Sequence, residues 1–162
     1  MNDDVRAAQR GDPVALSVLL EELAGRLGRV CGSIALDRGD DALQETLIVV
    51  LRNLNTLRHP EALVAWARRI AVRESLRVVA RVRDVPRAEL PDIPTDEVDV
   101  GTAVDVRRVL ASLSPAHRAV LVLRHMEGLS EADVAEVLEV SVGTVKSRAS
   151  RAREAFMSRW PQ

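Results

Sequence analysis

Between Leu129 and Phe156 the chain reads LSEADVAEVLEVSVGTVKSRASRAREAF, and this segment limits the fold more than any other. Apolar residues recur every three or four positions in two short runs, which predicts two helices. Only Glu139 and Val140 separate the runs, so the connection must be a tight turn. Ser130 with Asp133 three residues on resembles a capping box, Asp replacing the usual Glu or Gln. Val134, Ala135, Val137 and Leu138 give the first helix an apolar face, and Ser141 is a good N-cap for the second. In that second helix Val145, Ala149, Ala152 and Phe156 turn inward at helical spacing. Thr144, Ser147, Arg148 and Arg151 are left toward solvent, with Lys146 and Arg153 on the flank. A short helix, a turn and a basic second helix have the geometry that fits a DNA major groove. The same pattern also suits an ordinary helical hairpin with a solvated charged face.

The formal net charge of −1 argues against a polyanionic partner until its distribution is followed along the chain. Residues 1–83 hold 13 Arg against 11 acids, residues 84–100 one Arg against six acids, and residues 101–162 nine cations against seven acids. Within these, residues 52–83 carry eight Arg against Glu61 and Glu74, a local +6. Residues 141–160 carry Lys146, Arg148, Arg151, Arg153 and Arg159 against Glu154, a local +4. Two basic stretches divided by an acidic one matter more to a nucleic acid than the sum does.

The acidic stretch 84–101, DVPRAELPDIPTDEVDVG, has three prolines and no helical period, and reads as an extended linker. A surface loop inside one domain is the other reading, but its length disfavours that. Before it, three main helices are expected. Asp12 as N-cap and Pro13 at the first helical position open one that runs through Leu16, Leu19, Leu20, Leu23, Leu27 and Val30 to about Ile34. Asp40 or Asp41 caps a second, whose buried stripe is Leu43, Leu47, Val50, Leu51 and Leu54. A polar break at Asn53, Asn55, Thr56, Arg58, His59 and Pro60 leads to a third over about 61–83, burying Leu63, Trp66, Ala67 and Ile70. After the linker, Asp105 to Leu113 forms a helix, and Ser114-Pro115 starts another that stops near Gly128. The expected fold is all-α: two small helical domains, 1–83 and 102–162, joined by the linker 84–101, the second containing the helix-turn-helix.

Several function classes are disfavoured. Aromatics make up only 2 %, so the core must be aliphatic. The single cysteine, Cys31, excludes an internal disulfide and lies among Leu27, Val30 and Ile34, as an inert buried thiol would. His59, His117 and His125 lack metal-ligand spacing, and no glycine-rich phosphate loop is present. No catalytic residue, metal or cofactor is therefore expected. The N-terminal MNDDVRAAQRGD is polar and acidic, unlike a secretory leader, and no apolar run approaches the ~20 residues of a membrane span. The expectation is a cytoplasmic protein that does not insert in membranes.

Residues 113–156, LSPAHRAVLVLRHMEGLSEADVAEVLEVSVGTVKSRASRAREAF, resemble the C-terminal promoter-reading domain of the sigma factors of bacterial RNA polymerase, in particular the short extracytoplasmic-function (ECF) group of the sigma-70 family. DDALQETLIVVLRNL and HPEALVAWARRIA, within residues 40–71, are similar to the N-terminal sigma helices that bind polymerase and open DNA. The resemblance implies a non-enzymatic promoter-specificity subunit whose partners are RNA polymerase core, promoter DNA and an anti-sigma protein. It implies contacts to the minus-35 element from Thr144, Lys146, Ser147, Arg148 and Arg151; Arg118 and Arg124 either add phosphate contacts or are simply exposed, solvated arginines. It also implies minus-10 contacts from Arg52, Asn53, Asn55, Arg58, His59, Arg69 and Arg73, although residues 52–59 read equally well as an ordinary interhelical loop, and the Arg-rich third helix (Arg68, Arg69, Arg73, Arg77, Arg81) would track the phosphates. Asp41, Gln44 and Glu45 match the family's polymerase-binding D-x-x-QE pattern, though a polar solvated helix face reads the same way. Trp66, sharing a face with Leu63 and Ile70, is expected in the core. Glu139 stands where many relatives have glycine, which costs on the order of 1 kcal/mol if the turn needs φ > 0. Two other classes remain open. A response-regulator type of DNA-binding protein would require strands in residues 1–83, and a helical protein-binding module would leave the basic helix merely solvated.

Overall fold

The computed structural model of the protein describes residues 2–83 and 101–160, and among them no strand occurs. That removes the strand-containing N-terminal half which the response-regulator reading required. The expected linker, Gly101 apart, lies outside the described residues.

The N-terminal half contains α1 (Asn2–Gln9), α2 (Pro13–Ala35), α3 (Gly39–Asn53) and α4 (Leu63–Arg83). Apolar spacing alone does not predict α1, because its eight residues offer only Val5 and Ala8 to the core. Packing rather than propensity holds so short a helix. The Gln9 side chain then bonds the carbonyls of Leu54 (2.9 Å) and Leu57 (2.8 Å), satisfying the break after α3. Helix α2 starts as its caps dictate: Asp12 accepts from the Val14 and Ala15 amides, and Pro13 fills the first turn.

Helix α3 departs from expectation at its start and on its face. It begins at Gly39, and no side chain caps it; Asp40 and Asp41 are first-turn acids that complement the helix dipole instead. The fully buried positions are Ala42, Thr46 and Val50, whereas Leu43 and Leu47 are half-buried and Leu51 is exposed. The cause is a close crossing. A Cβ on Gly39 would stand 2.7 Å from the Gly32 Cα, so the backbones of α2 and α3 nearly touch. Small residues must face that contact, and the leucines move to its edges. Thr46 settles its hydroxyl on the Ala42 carbonyl at 2.6 Å. Cys31 packs beside it, and burial pushes its thiol pKa up, as expected of an inert thiol. The polar break comprises two 3-10 turns, Leu54–Thr56 and Pro60–Ala62, and α4 follows with Leu63, Ala67 and Ile70 buried and Trp66 half-buried.

The C-terminal half contains α5 (Gly101–Ala111), α6 (Pro115–Leu121), α7 (Glu131–Leu138) and α8 (Val142–Arg159). Helix α6 widens into a π-turn at Val122–Met126 before Gly128, at φ 66°, ends the run.

The two halves pack against each other. One apolar cluster joins Val30 and Ile34 of α2 and Val72 of α4 to Ala119 and Val120 of α6 and Val134 of α7. Arg118, expected on a phosphate, is instead 4 % exposed at this junction. Its Nε donates to the Ile34 carbonyl at 2.9 Å, and its Nη1 reaches those of Leu110 (3.3 Å) and Leu113 (3.4 Å). Leu36, which ends α2 at φ 56° and ψ −117°, packs against the cluster of Leu110, Leu113 and Leu121. Such a conformation costs a non-glycine residue about 1–3 kcal/mol and persists only where packing imposes it.

Gly39→Ala is expected to lower stability by ~1–3 kcal/mol, because backbone rather than a flexible side chain opposes the new methyl. Urea unfolding followed by circular dichroism measures it; an unchanged midpoint would show that the helices can separate freely.

Candidate nucleic-acid interface

The helix-turn-helix forms as its caps require. The Ser130 hydroxyl accepts from the Asp133 amide at 3.1 Å, and the Asp133 carboxylate accepts from the Ser130 amide at 3.1 Å and hydroxyl at 2.6 Å. Bonds from the Ser130 side chain and backbone hold the Asp133 pKa below the usual carboxylate range. Glu139 ends α7 in the left-handed region, φ 54° and ψ 44°, so the turn does take the conformation that glycine favours. Ser141 then caps α8, accepting from the Thr144 amide at 3.1 Å.

On α8, Val145 and Ala152 are buried, and Ala149 and Phe156 are partly so, with the Phe156 ring stacked on Trp160 at 5.5 Å. The opposite face carries Lys146, Ser147 and Arg151 exposed, and Thr144 and Arg148 half-buried at its edges. All five candidates therefore share the outer surface of the helix's first three turns. Thr144 and Ser147 are locally engaged: Thr144 shares a hydroxyl bond with Ser141, and Ser147 donates to the Thr144 carbonyl. The Lys146 ammonium stands 3.8 Å from Glu131. Arg124 is not placed for a phosphate, because it donates to the Leu129 carbonyl and braces the start of α7.

The minus-10 candidates divide between two adjoining grooves. One, of about 410 Å³, brings Asn53, Arg69 and Arg73 together with Trp66, and its far wall is Glu136 to Glu139 of α7. The other, of about 300 Å³, collects Arg58, His59 and Arg69 around the polar break, again with Trp66. Arg52 and Asn55 are exposed but line neither groove. Asn53 commits an amide hydrogen to the Val49 carbonyl at 2.8 Å, and His59 Nδ1 lies 3.2 Å from Glu61. Trp66, assigned to the core from its spacing, thus also lines both grooves.

The arginines of α4 are less available than an uninterrupted basic face would be. Arg68 sits 2.9 Å from Glu127, as an ion pair without hydrogen-bond alignment, and Arg69 donates to Glu136. Arg73 and Arg77 flank the buried Glu74 carboxylate at 3.6 and 3.3 Å, and Arg81 faces Glu45 at 3.8 Å. Arg68 therefore cannot track phosphates while this arrangement holds. Of the α3 candidates, Asp41 and Gln44 are exposed and Glu45 is half-buried on one side of the helix; Asp41 pairs with Arg38 at 3.0 Å. The acidic wall of Glu136 and Glu139 escaped sequence reasoning, since nothing local signals a contact made across 67 positions.

The model of the Sigma-70, region 4 family matches residues 103–156. The chain is 38 % identical over 131 residues to the ECF RNA polymerase sigma factor SigM of Mycobacterium tuberculosis, a match covering 79 % of this chain and 66 % of that protein. It is 30 % identical to the ECF RNA polymerase sigma-E factor of Salmonella typhimurium, over 94 % of this chain and 90 % of the relative. The fold is similar to that of CnrH, solved in complex with the cytosolic domain of CnrY, with a TM-score of 0.67, 23 % identity and coverage of 97 % and 94 %. It is also similar to that of the Bartonella quintana sigma factor RpoE, solved with the anti-sigma factor NepR, with a TM-score of 0.63, 24 % identity and coverage of 88 % and 94 %.

Glu139→Gly is expected to stabilise the protein by ~0.5–1 kcal/mol, since the left-handed position then carries no Cβ penalty. Thermal melting checks it, and a lowered midpoint would mean that the glutamate side chain makes a compensating contact.

Proposed function

The chain belongs to the ECF sigma factors of the sigma-70 family, and from that premise we propose that it is a promoter-specificity subunit that binds RNA polymerase core and directs initiation. The observation that carries this reading is the outer face of α8, where Lys146, Arg148 and Arg151 stand on the second helix of a capped helix-turn-helix. The first turns of such a helix enter the major groove, where Arg forks onto guanine O6 and N7 and Lys and hydroxyls reach phosphates or base edges. Thr144, Lys146, Ser147, Arg148 and Arg151 are accordingly assigned to the minus-35 element.

The minus-10 element is assigned to the paired grooves, with Asn53, Arg58, His59, Arg69 and Arg73, and to the exposed Arg52 and Asn55 outside them. Guanidinium planes and Trp66 offer stacking surfaces for unpaired bases, and the remaining arginines offer charge to the backbone. Asp41, Gln44 and Glu45 of α3 are assigned to polymerase core. The chain divides in this reading into a polymerase and minus-10 unit (1–83), a linker (84–101) and a minus-35 unit (102–162). It acts in the cytoplasm, without enzymatic chemistry of its own, and is held in check by an anti-sigma protein. No helix among the described residues is long and apolar enough to cross a membrane.

Arg148→Ala or Arg151→Ala is expected to cost ~1–3 kcal/mol of promoter affinity at the guanine it contacts. Transcription in vitro with core polymerase and a promoter library measures this, and wild-type output from both variants would sink the assignment. Gln44→Ala with Glu45→Ala is expected to weaken core binding while leaving the helical circular dichroism spectrum intact. Unaltered core affinity in a pull-down would remove α3 as the polymerase contact.

A further inference from the structure

The break between α3 and α4, which carries Asn55, Arg58 and His59, has little of its own to hold it. It contains two three-residue 3-10 turns, and no side chain caps either of them. The Leu57 amide closes onto the Leu54 carbonyl at 3.1 Å, and the Thr56 hydroxyl onto that of Asn53 at 2.7 Å. At Leu57 the backbone swings out to φ −72° and ψ 107°, and Arg58 and His59 follow, exposed to solvent. Ordering such a stretch costs conformational entropy that its own few bonds do not offset.

The missing restraint comes from α1. Gln9 Nε2 donates to the Leu54 carbonyl at 2.9 Å and to the Leu57 carbonyl at 2.8 Å, so one amide group directs both its hydrogens at the two ends of the first turn. Because the amide is planar, the two N–H bonds diverge at a fixed angle and set the carbonyls relative to each other. Among the described residues, no side chain from outside α3 and the break makes another hydrogen bond to these carbonyls. Helix α1 is aimed by its own ending. The Asp12 amide reaches the Ala7 carbonyl at 3.1 Å and the Gly11 amide that of Ala8 at 3.0 Å, with Gly11 at φ 92°. This Schellman arrangement needs a residue free to take positive φ, and it turns the chain back on itself. Val5 and Ala8 then join the core cluster that contains Leu54 and Leu63, and Gln9 meets the break. Arg6, on the same side of α1, adds positive charge near Glu61. The Glu61 carboxyl is held below the usual carboxylate range by its own backbone amide first, then by His59 and Arg6.

We propose that Gln9 is a positioning residue for minus-10 recognition: without lining either groove, it holds the break in the shape in which Arg58 and His59 share a groove with Trp66. The proposal rests on the reading of the break as a minus-10 contact. The groove of about 300 Å³ takes one wall from Thr56, Leu57, Arg58 and His59 and the other from Ala62, Ala65, Trp66 and Arg69. Core packing fixes the second wall, because Trp66 leans on the main apolar cluster. The first wall is fixed by the amide of Gln9. Removing the amide leaves the Leu57 carbonyl to water and lets Arg58 and His59 leave the groove. An unpaired base then binds only during the fraction of time in which the groove is formed, and apparent affinity falls by that fraction.

The test uses the full chain assembled with core polymerase, each variant first checked for helical content by circular dichroism. Two fluorescein-labelled probes are compared: a single strand bearing the minus-10 stretch of a transcribed promoter, and a duplex bearing only its minus-35 stretch. Gln9→Met keeps the length of the side chain and removes both donors. Gln9→Glu keeps its shape and turns a carboxylate toward two carbonyls. A third variant, Arg58→Ala with His59→Ala, removes the direct contacts. Gln9→Met is expected to weaken single-strand binding about tenfold, the size of two ordinary hydrogen bonds, and to leave the minus-35 duplex within about twofold of wild type. Gln9→Glu should weaken the single strand further. Discrimination among bases in the single strand should flatten in Gln9→Met as it does in the Arg58→Ala, His59→Ala variant, a change that a general loss of stability does not produce. Wild-type single-strand affinity in both Gln9 variants, with the Arg58→Ala, His59→Ala variant weakened, would overturn the positioning role and leave the minus-10 reading standing. Wild-type affinity in the Arg58→Ala, His59→Ala variant would overturn that reading, and the proposal with it. Equal weakening on both probes would show that Gln9 only supports the fold, which also overturns the proposal.

Discussion

The guanidinium of Arg118 ties the molecule together. A buried cation is costly unless its donors are satisfied, and those of Arg118 meet carbonyls near the C-terminal ends of two helices, α2 and α5. Helix C-termini carry partial negative charge and unsatisfied carbonyls, so one cation answers both needs. Because Arg118 itself lies on α6, the arrangement fixes three helices at one point. Helices α7 and α8 pack on α6, and their orientation relative to the N-terminal half follows from that point.

The position of that junction decides the electrostatics of the two basic surfaces. Bringing α7 against α4 sets Glu136 on Arg69 and encloses a groove whose near wall is cationic and whose far wall is anionic. The α8 face lies outside the contact and keeps Lys146, Ser147 and Arg151 toward solvent. Two basic stretches that look equivalent along the chain thus differ in the folded protein. The C-terminal one is presented, and the N-terminal one is partly neutralised from within. Exposed pairs of this kind are individually weak and screened by salt.

Much of the fold was legible because its signals are local. Asp12 with Pro13, Ser114 with Pro115, the Ser130–Asp133 box and Ser141 each mark a helix start through bonds spanning two or three residues. The apolar spacing of α8 likewise identified its inner and outer faces. Errors arose where long-range contact overrode the period. Helix α3 turned Ala42 and Thr46 inward in place of its leucines, because the crossing at Gly32 and Gly39 leaves no room for larger side chains. Helix α1, with two core residues, was too weak a pattern to stand out. Arg118 looked like any other arginine on a helix following a cap, and nothing around it in sequence announced a carbonyl 84 positions away.

By itself, then, the amino-acid order determined which of the segments after α1 become helices, where most of them start, and that α8 presents cations opposite its apolar stripe. Caps and periodicity act within a turn or two of backbone, and such information is complete in a short window. Tertiary structure alone decided which arginines face water, which face carboxylates and which one is entombed, because ion pairing and burial depend on neighbours that only the folded chain assembles. The same holds for the strained Leu36 and for the groove beside Trp66, whose walls come from helices far apart in sequence.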